Sequence, residues 1–422
     1  MPSPAPSLAA EDVHRFVAEH CFGARGRGQV GIEIELLTYD TVDRRRRPDI
    51  DAMQAATARA CLPGGSLVSF EPGGQVELSG PPDALAGALA GMAPDLAALR
   101  GVLGDAGVTV CGLGADPLRP PRRIVRTPRY EAMETHFDAL GPAGRRMMCQ
   151  TAAVQVNVDL DGPLGPHGRW RLAHQLWPVL AAAFAHSPFE GGRVAPCRST
   201  RLAIWDALEP RRTRPVLTVP EQHREPATAW AEYALRADVM LIVDGEHRTV
   251  PVPPGLSFAR WLERGHDLGW PTPEDLAYHF TTLFPPVRPR GWLELRMIDG
   301  LPDRWWPVAV AVTAALFDDD DAAADAGEAT ATTAGLWAEA AAGLAHPALA
   351  AAAARCFATA LAALPRLGVD GSVQAACAAY HDRFVARRRT PADELVDAWA
   401  AAAGNGDLAG LVAAGDQAAV EA

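Results

Sequence analysis

Apolar residues recur along this chain with two spacings, and the spacings divide it into strands and helices. Between Gln29 and Asp40, Val30, Ile32, Ile34 and Leu36 occupy every second position, with Gly31, Glu33 and Glu35 between them. A period of two predicts a strand with one aliphatic and one polar face, its two carboxylates about 7 Å apart. Leu67–Ser79 predicts a hairpin, with Val68 and Phe70 before a Pro72-Gly73-Gly74 turn and Val76 and Leu78 after it. Glu71, Gln75 and Glu77 fall on its other faces. The alternation returns twice, as Val154, Val156 and Val158 against Gln155, Asn157 and Asp159, and as Leu293, Leu295 and Met297 against Glu294 and Arg296.

Helical spacing marks Glu11–Phe22, Pro82–Gly107, Tyr130–Leu140, Trp170–His186 and Phe258–Gly265. Thr272–Leu283 opens with Thr-Pro-Glu-Asp, which is capping chemistry. Val108–Leu113 predicts a further strand, and Tyr233–Val243 mixes both signals. Residues 1–10 read as a loose tail. Thr41–Pro48, Arg119–Arg129 and Phe284–Gly291 read as loops or turns, and Arg193–Trp205 and Pro210–Arg214 as an arginine-dense connection. From Trp305 onward the chain turns alanine-rich and helical (Trp305–Phe317, Leu336–Leu344, Pro347–Leu367, Val373–Arg388, Pro391–Ala403), around an acidic Asp318–Asp321 loop. The expected division is a core over residues 1–304 and a helical layer over 305–422 packed on it as one structural unit.

Composition narrows the chemistry. All 39 basic residues are arginine, so no lysine Schiff base or lysine phosphate loop is available. A net charge of −12 argues against broad nucleic-acid or anionic-membrane binding. Seven scattered cysteines without a CxxC pair fit a reducing compartment. The N-terminus lacks a basic start followed by an apolar run, and the longest apolar stretches are broken by Pro, Asp or Glu. The expectation is a soluble cytoplasmic protein. No GxSxG or HExxH run and no Ser-His-Asp order points to a protein nucleophile or a zinc site.

The polar faces of the strands carry the chemistry. A half-solvated sheet would also show polar outer faces, but those ordinarily mix Thr, Ser, Lys and Arg. Here they carry Glu33, Glu35, Glu71, Glu77, Gln155, Asn157 and Glu294, with Arg296 interleaved. Brought together, such oxygen ligands suit Mg²⁺, or Mn²⁺, and the phosphates of a nucleotide.

The segments GIEIE, FEPGGQVELSG, TAAVQVNVD, RSTRLAIW and HFTTLFPPVRPRGWLELRMIDGLP, in consistent order over residues 12–310, resemble the plant-type glutamate–cysteine ligases. The likeness is greatest to their actinobacterial branch, which makes γ-glutamylcysteine for ergothioneine synthesis. The resemblance implies an α+β, glutamine-synthetase-like fold: a curved, largely antiparallel sheet forming a funnel, flanked by helices. It also implies ATP, Mg²⁺, glutamate and cysteine as reactants. By position it makes Glu33, Glu35, Glu71, Glu77 and Glu294 metal ligands, with Gln155 where relatives often carry a histidine ligand. It sets Arg296 at the transferred phosphoryl group, with Glu294 beside it, and Asn157, Arg288 and Arg290 at nucleotide or phosphate. Arg198 and Arg201 become binders of substrate carboxylate or phosphate. Ligation to an amine other than cysteine, or a non-catalytic binding protein of the same fold, stays open. His279 and Cys149 read as structural, and the GLGADP run at Gly112 as a turn.

Overall fold

The computed structural model describes residues 8–402, apart from 24, 25, 27 and 219–222, together with Leu408 and Gly410. Most of the tail expected at residues 1–10 lies outside the described residues. Among the described residues eleven strands occur in chain order: β1 (Val30–Asp40), β2 (Leu67–Phe70), β3 (Val76–Ser79), β4 (Val108–Cys111), β5 (Ala153–Asp159), β6 (Phe189–Glu190), β7 (Arg193–Val194), β8 (Leu241–Val243), β9 (Thr249–Pro251), β10 (Val287–Pro289) and β11 (Trp292–Asp299). Seven of them form one antiparallel sheet in the order β10-β11-β5-β1-β3-β2, with β4 paired to the far half of β1. Strands β6–β7 and β8–β9 are small separate ribbons.

Period-two patterning builds this sheet. Val30, Ile32, Ile34 and Leu36 of β1, Val76 and Leu78 of β3, Val154, Val156 and Val158 of β5, and Leu293 and Leu295 of β11 are all buried on one side. The helices Leu85–Asp105, Gly165–Ala183 and Trp306–Asp318 cover that side. Cutting one of the leucines or isoleucines back to alanine costs about 2–5 kcal/mol. The register then fixes the other face: Glu35 opposes Glu77, Glu33 lies between Ser79 and Gln155, and Asn157 lies between Gly31 and Glu294. A Cβ at Gly31 would come within 3.3 Å of the Asn157 amide nitrogen, so glycine there leaves the Asn157 side chain its room.

Two local devices aim side chains at this face. The hairpin tip closes with Glu71 N donating to Gln75 O (2.9 Å) and Gly74 N donating to Glu71 O (2.8 Å), with Gly74 at φ +86°. Thr38 Oγ1 donates to Gly74 O, Arg47 to Gly73 O, and the amides of Ile124 and Val125 to Pro72 O, so the tip is held from several sides. In β11, the register to β5 slips between Leu295 and Ile298. Beside this shift the Arg296 amide donates to Pro286 O (2.9 Å), continuing the β10–β11 pairing.

Ile50–Thr57, where no element was expected, is a helix capped by Asp49. Other readings are corrected: Asp320–Ala329 is a helix capped by Asp319, so the acidic run read as a loop begins a helix. Val287–Pro289, read as part of a proline-rich turn, is the edge strand of the sheet, where a missing N–H is tolerated. Thr200–Asp206, read as connection, is a short helix.

Candidate active site

The polar face of the sheet lines a cavity of ≈ 370 Å³. Five glutamates (Glu33, Glu35, Glu71, Glu77, Glu294) and five arginines (Arg129, Arg201, Arg288, Arg290, Arg296) reach it. Arg288, Arg290 and Arg296 gather around Glu294.

One wall is acidic. Carboxylate oxygens of Glu35, Glu71 and Glu77 lie within 4.8 Å of one another. Neutral donors orient them: Gln155 Nε2 donates to Glu35 (2.9 Å), and Ser69 and Ser79 hydroxyls donate to Glu77 (3.0 and 3.2 Å). Glu33 accepts from Asn157 Nδ2 at 3.0 Å. Burial and then the neighbouring Glu77 push the Glu71 carboxyl up to about 7. Glu33 also rises to about 7, from burial and then the charges of Glu294 and Glu77. Glu35 is raised well above its usual value by burial, Glu71 and Glu77. Close carboxylates that resist ionisation together fit a hard divalent cation, which takes oxygen ligands at about 2.0–2.6 Å.

The facing wall is built from β10 and β11. Arg288 opposes Glu294 across the hairpin and grips it with two bonds, Nε to Oε2 (2.5 Å) and Nη2 to Oε1 (2.8 Å). Arg296 Nη1 adds a third at 2.7 Å and also donates to Gln155 Oε1 at 2.5 Å. Although burial works against ionisation, Arg288 and Arg296 hold the Glu294 carboxyl down to about 2.

The sequence-expected residues therefore divide. Glu35, Glu71 and Glu77 form one cluster, with Glu33 beside them. Glu294, expected as a metal ligand, lies outside that cluster of three, and both its oxygens accept from arginines. Gln155 bridges the two walls rather than lying free as a ligand. Asn157, expected at the nucleotide, does not line the cavity: its Nδ2 serves Glu33 and its Oδ1 accepts from Trp292 Nε1 at 3.1 Å. Arg198, expected at substrate, is also outside it, drawn 2.5 Å from Asp393 of the helical layer. Arg201 does line the cavity, and Arg290 is half-exposed at its rim, 4.0 Å from Glu294.

Other lining residues were not anticipated. Arg129 donates to Thr281, Tyr130 donates to Phe70 O, and Met133, Met147, Met148, Trp205 and Phe284 supply an apolar flank. Of these, only Trp205 carried a positional signal, one helical turn after Arg201. Gln75, read on the carboxylate faces, turns its amide to Met148 O and Thr151 O and braces the hairpin. His279 is buried, hydrogen-bonded to Ala234 O and stacked on Phe258, and Cys149 is buried in the apolar cluster.

Comparison with known proteins identifies the family. The family model for glutamate–cysteine ligase family 2 matches residues 29–414. A glutamate–cysteine ligase EgtA of Mycolicibacterium smegmatis is 44% identical over 401 residues, covering 93% of this chain and 92% of that protein. The EgtA of Mycobacterium tuberculosis is 42% identical over 85% of this chain and 84% of its own length. The chloroplastic glutamate–cysteine ligase of Arabidopsis thaliana is 31% identical over 61% of this chain and 50% of that protein. A crystal structure of the Francisella tularensis glutamate–cysteine ligase in complex with AMP superposes with a TM-score of 0.54 at 10% identity, covering 92% of this chain and 88% of that one, a likeness of fold alone. Among the described residues no helix is long and apolar enough to cross a membrane. With a family model spanning most of its length and close relatives along nearly all of it, the chain belongs to glutamate–cysteine ligase family 2.

Proposed function

We propose that this protein joins the γ-carboxylate of glutamate to the amine of cysteine, converting ATP to ADP and phosphate through a γ-glutamyl phosphate. The product, γ-glutamylcysteine, would serve ergothioneine synthesis, as the resemblance to the actinobacterial ligases implies. The observation that carries the reading is the facing of two walls in one cavity: three carboxylates within 4.8 Å of one another, opposite an arginine-clamped glutamate.

A carboxylate does not condense with an amine at neutral pH, so the γ-carboxylate must first be activated. Glu35, Glu71 and Glu77, with Glu33 beside them, would hold Mg²⁺ or Mn²⁺ against the nucleotide phosphates. When bound, such ions offset the charge that develops on the transferring phosphoryl oxygens. Gln155 orients Glu35 through one end of its amide and Arg296 through the other. Among the described residues Arg296 Nε has no acceptor, which leaves a donor in reserve for the phosphoryl group. Glu294 orients Arg288 and Arg296. Arg290 at the rim is placed to meet outer phosphates. The amine of cysteine then attacks the acyl phosphate, and a carboxylate of the acidic wall accepts its proton. We also read residues 305–422 as a helical layer on a core of residues 1–304 within one unit, a reading supported over the described residues by an apolar cluster that includes Leu176 and Phe357; most of 403–422 and residues 1–7 lie outside them.

The test is product identification. Purified protein with ATP, Mg²⁺, glutamate and cysteine should yield γ-glutamylcysteine and ADP in equal amounts, with ADP release requiring both amino acids. A panel of other amines in place of cysteine should react more slowly. Faster ligation of another amine would reassign the acceptor, and no glutamate-dependent ADP release would overturn the reading.

A further inference from the structure

The fork proposed to face the phosphoryl group is anchored through its own backbone. Along the β10–β11 hairpin every second pair exchanges two backbone bonds. Two such pairs are Arg290 with Trp292 and Arg296 with Pro286: Arg290 N donates to Trp292 O (2.8 Å) and Arg296 N to Pro286 O (2.9 Å). The return bond at the last pair needs an N–H on Pro286, and proline has none. Arg201 takes its place: its Nη2 donates to Arg296 O at 2.8 Å, from the helix Thr200–Asp206 outside the sheet. The substitution lies beside the slip between Leu295 and Ile298, where the register to β5 is also broken.

The placement of Arg201 leads back to β11. Ser187 Oγ accepts from Arg201 N (3.2 Å) and donates to Asp299 Oδ2 (2.7 Å). Ser199 Oγ caps the helix, accepting from Leu202 N (3.0 Å), and donates to Asp299 Oδ1 (2.9 Å). His186 N is a third donor to the carboxylate, 2.9 Å from Oδ2. Arg201 Nη1 stands 4.0 Å from Oδ1, near enough for charge attraction and beyond a hydrogen bond. A ring of contacts thus leaves β11 at the Arg296 carbonyl and returns to it at Asp299. Asp299 is buried, and a buried carboxylate is costly unless its oxygens are satisfied, as these are. An amide in its place offers one acceptor oxygen where the carboxylate offers two.

We infer that Asp299 is a positioning residue for phosphoryl transfer: through Ser187, Ser199 and Arg201 it fixes the backbone of Arg296, and so the fork. The inference rests on the ligase reading above and deepens it by naming what holds its central arginine. The Arg296 side chain is fixed at its tip, where Nη1 donates to Glu294 and Gln155. Its root is the part that Pro286 leaves open, and the ring through Asp299 closes it. Misplacing a catalytic group by about 1 Å costs about 10²-fold in rate. Asp299 does not line the cavity, so its effect passes through Arg201 and Arg296.

Steady-state kinetics of Asp299→Asn, alone and combined with Arg296→Lys, test this. Alone, kcat should fall about tenfold or more while the KM for ATP moves less than about twofold. In the Arg296→Lys protein the same change should lower kcat by less than about twofold further, because the fork it positions is gone. A purely structural Asp299 would lower the urea midpoint with kcat per folded molecule unchanged, or cost the same factor in both backgrounds. Either result overturns the inference, as does a raised KM for ATP with normal kcat. Ser187→Ala and Ser199→Ala keep the buried charge and remove one link each, so they carry the test if Asp299→Asn folds poorly. Each should lower kcat about twofold to tenfold, and an unchanged kcat in both would overturn the inference. A wild type with no glutamate-dependent ADP release defeats the ligase reading. A normal wild type beside unaffected variants defeats only this inference.

Discussion

The two walls of the cavity carry the same residue type in opposite electrostatic states. Glu294 is buried and satisfied by two arginines, which hold its carboxyl down to about 2. Glu71 is buried among other carboxylates, and burial and Glu77 push it up to about 7. The first glutamate is part of a finished structure, while the second belongs to the cluster proposed above to hold a cation. Burial raises both; the nearest charge decides the sign.

Breaking the finished wall should have the largest effect. Glu294→Gln strips the charge from a buried carboxylate and leaves Arg288 and Arg296 without their counter-ion, which should destabilise the protein by about 3–5 kcal/mol. Urea denaturation measures this, and an unchanged midpoint would mean that Glu294 is not part of the structural frame. Next comes Arg296→Lys, which keeps a charge but loses the planar fork. We expect kcat to fall by about 10² or more with a smaller change in the KM for ATP. A raised KM with near-normal kcat would assign Arg296 to ground-state binding.

A control outside the cavity is smaller. His279 is buried against Phe258, and burial, then the charge of Arg212, lower it to about 3. A histidine depressed in the folded state binds its proton only on unfolding, so its contribution is intact above about pH 6.5 and lost as pH falls toward 3. Between pH 6.5 and 5.5 the wild type should lose about 1 kcal/mol relative to His279→Gln. Parallel stability curves for the two proteins would contradict this. The smallest effect belongs to the unfinished wall: without metal, Glu71→Gln relieves repulsion, so its melting temperature should stay level or rise slightly. A clear fall would make Glu71 structural, like Glu294.

The sequence made the strands legible because burial on one side of a sheet enforces period two. Val30 to Leu36 and Val154 to Val158 are buried as that pattern requires, and Glu33, Glu35 and Gln155 follow onto the opposite face. The division of labour within the site was not legible. Arg288 meets Glu294 only because Val287–Pro289 folds back as a strand, and its prolines mask that signal. Arg198 is claimed by Asp393, almost two hundred residues away, and no local spacing announces such a pairing. The helix at Ile50–Thr57 was signalled by Asp49 as a cap but hidden behind four consecutive arginines. Trp205 could have been found from its offset of four from Arg201, once Thr200–Asp206 was recognised as helical.

The contrast between a finished and an unfinished wall is tested most directly by ADP release from the wild-type protein with ATP, glutamate and cysteine, first in buffer stripped of divalent ions by chelator and then with Mg²⁺ restored in excess. The account predicts no turnover in the stripped buffer and full recovery on restoration, because Glu35, Glu71 and Glu77 cannot serve the phosphates without a cation between them. Full turnover in the stripped buffer would contradict it.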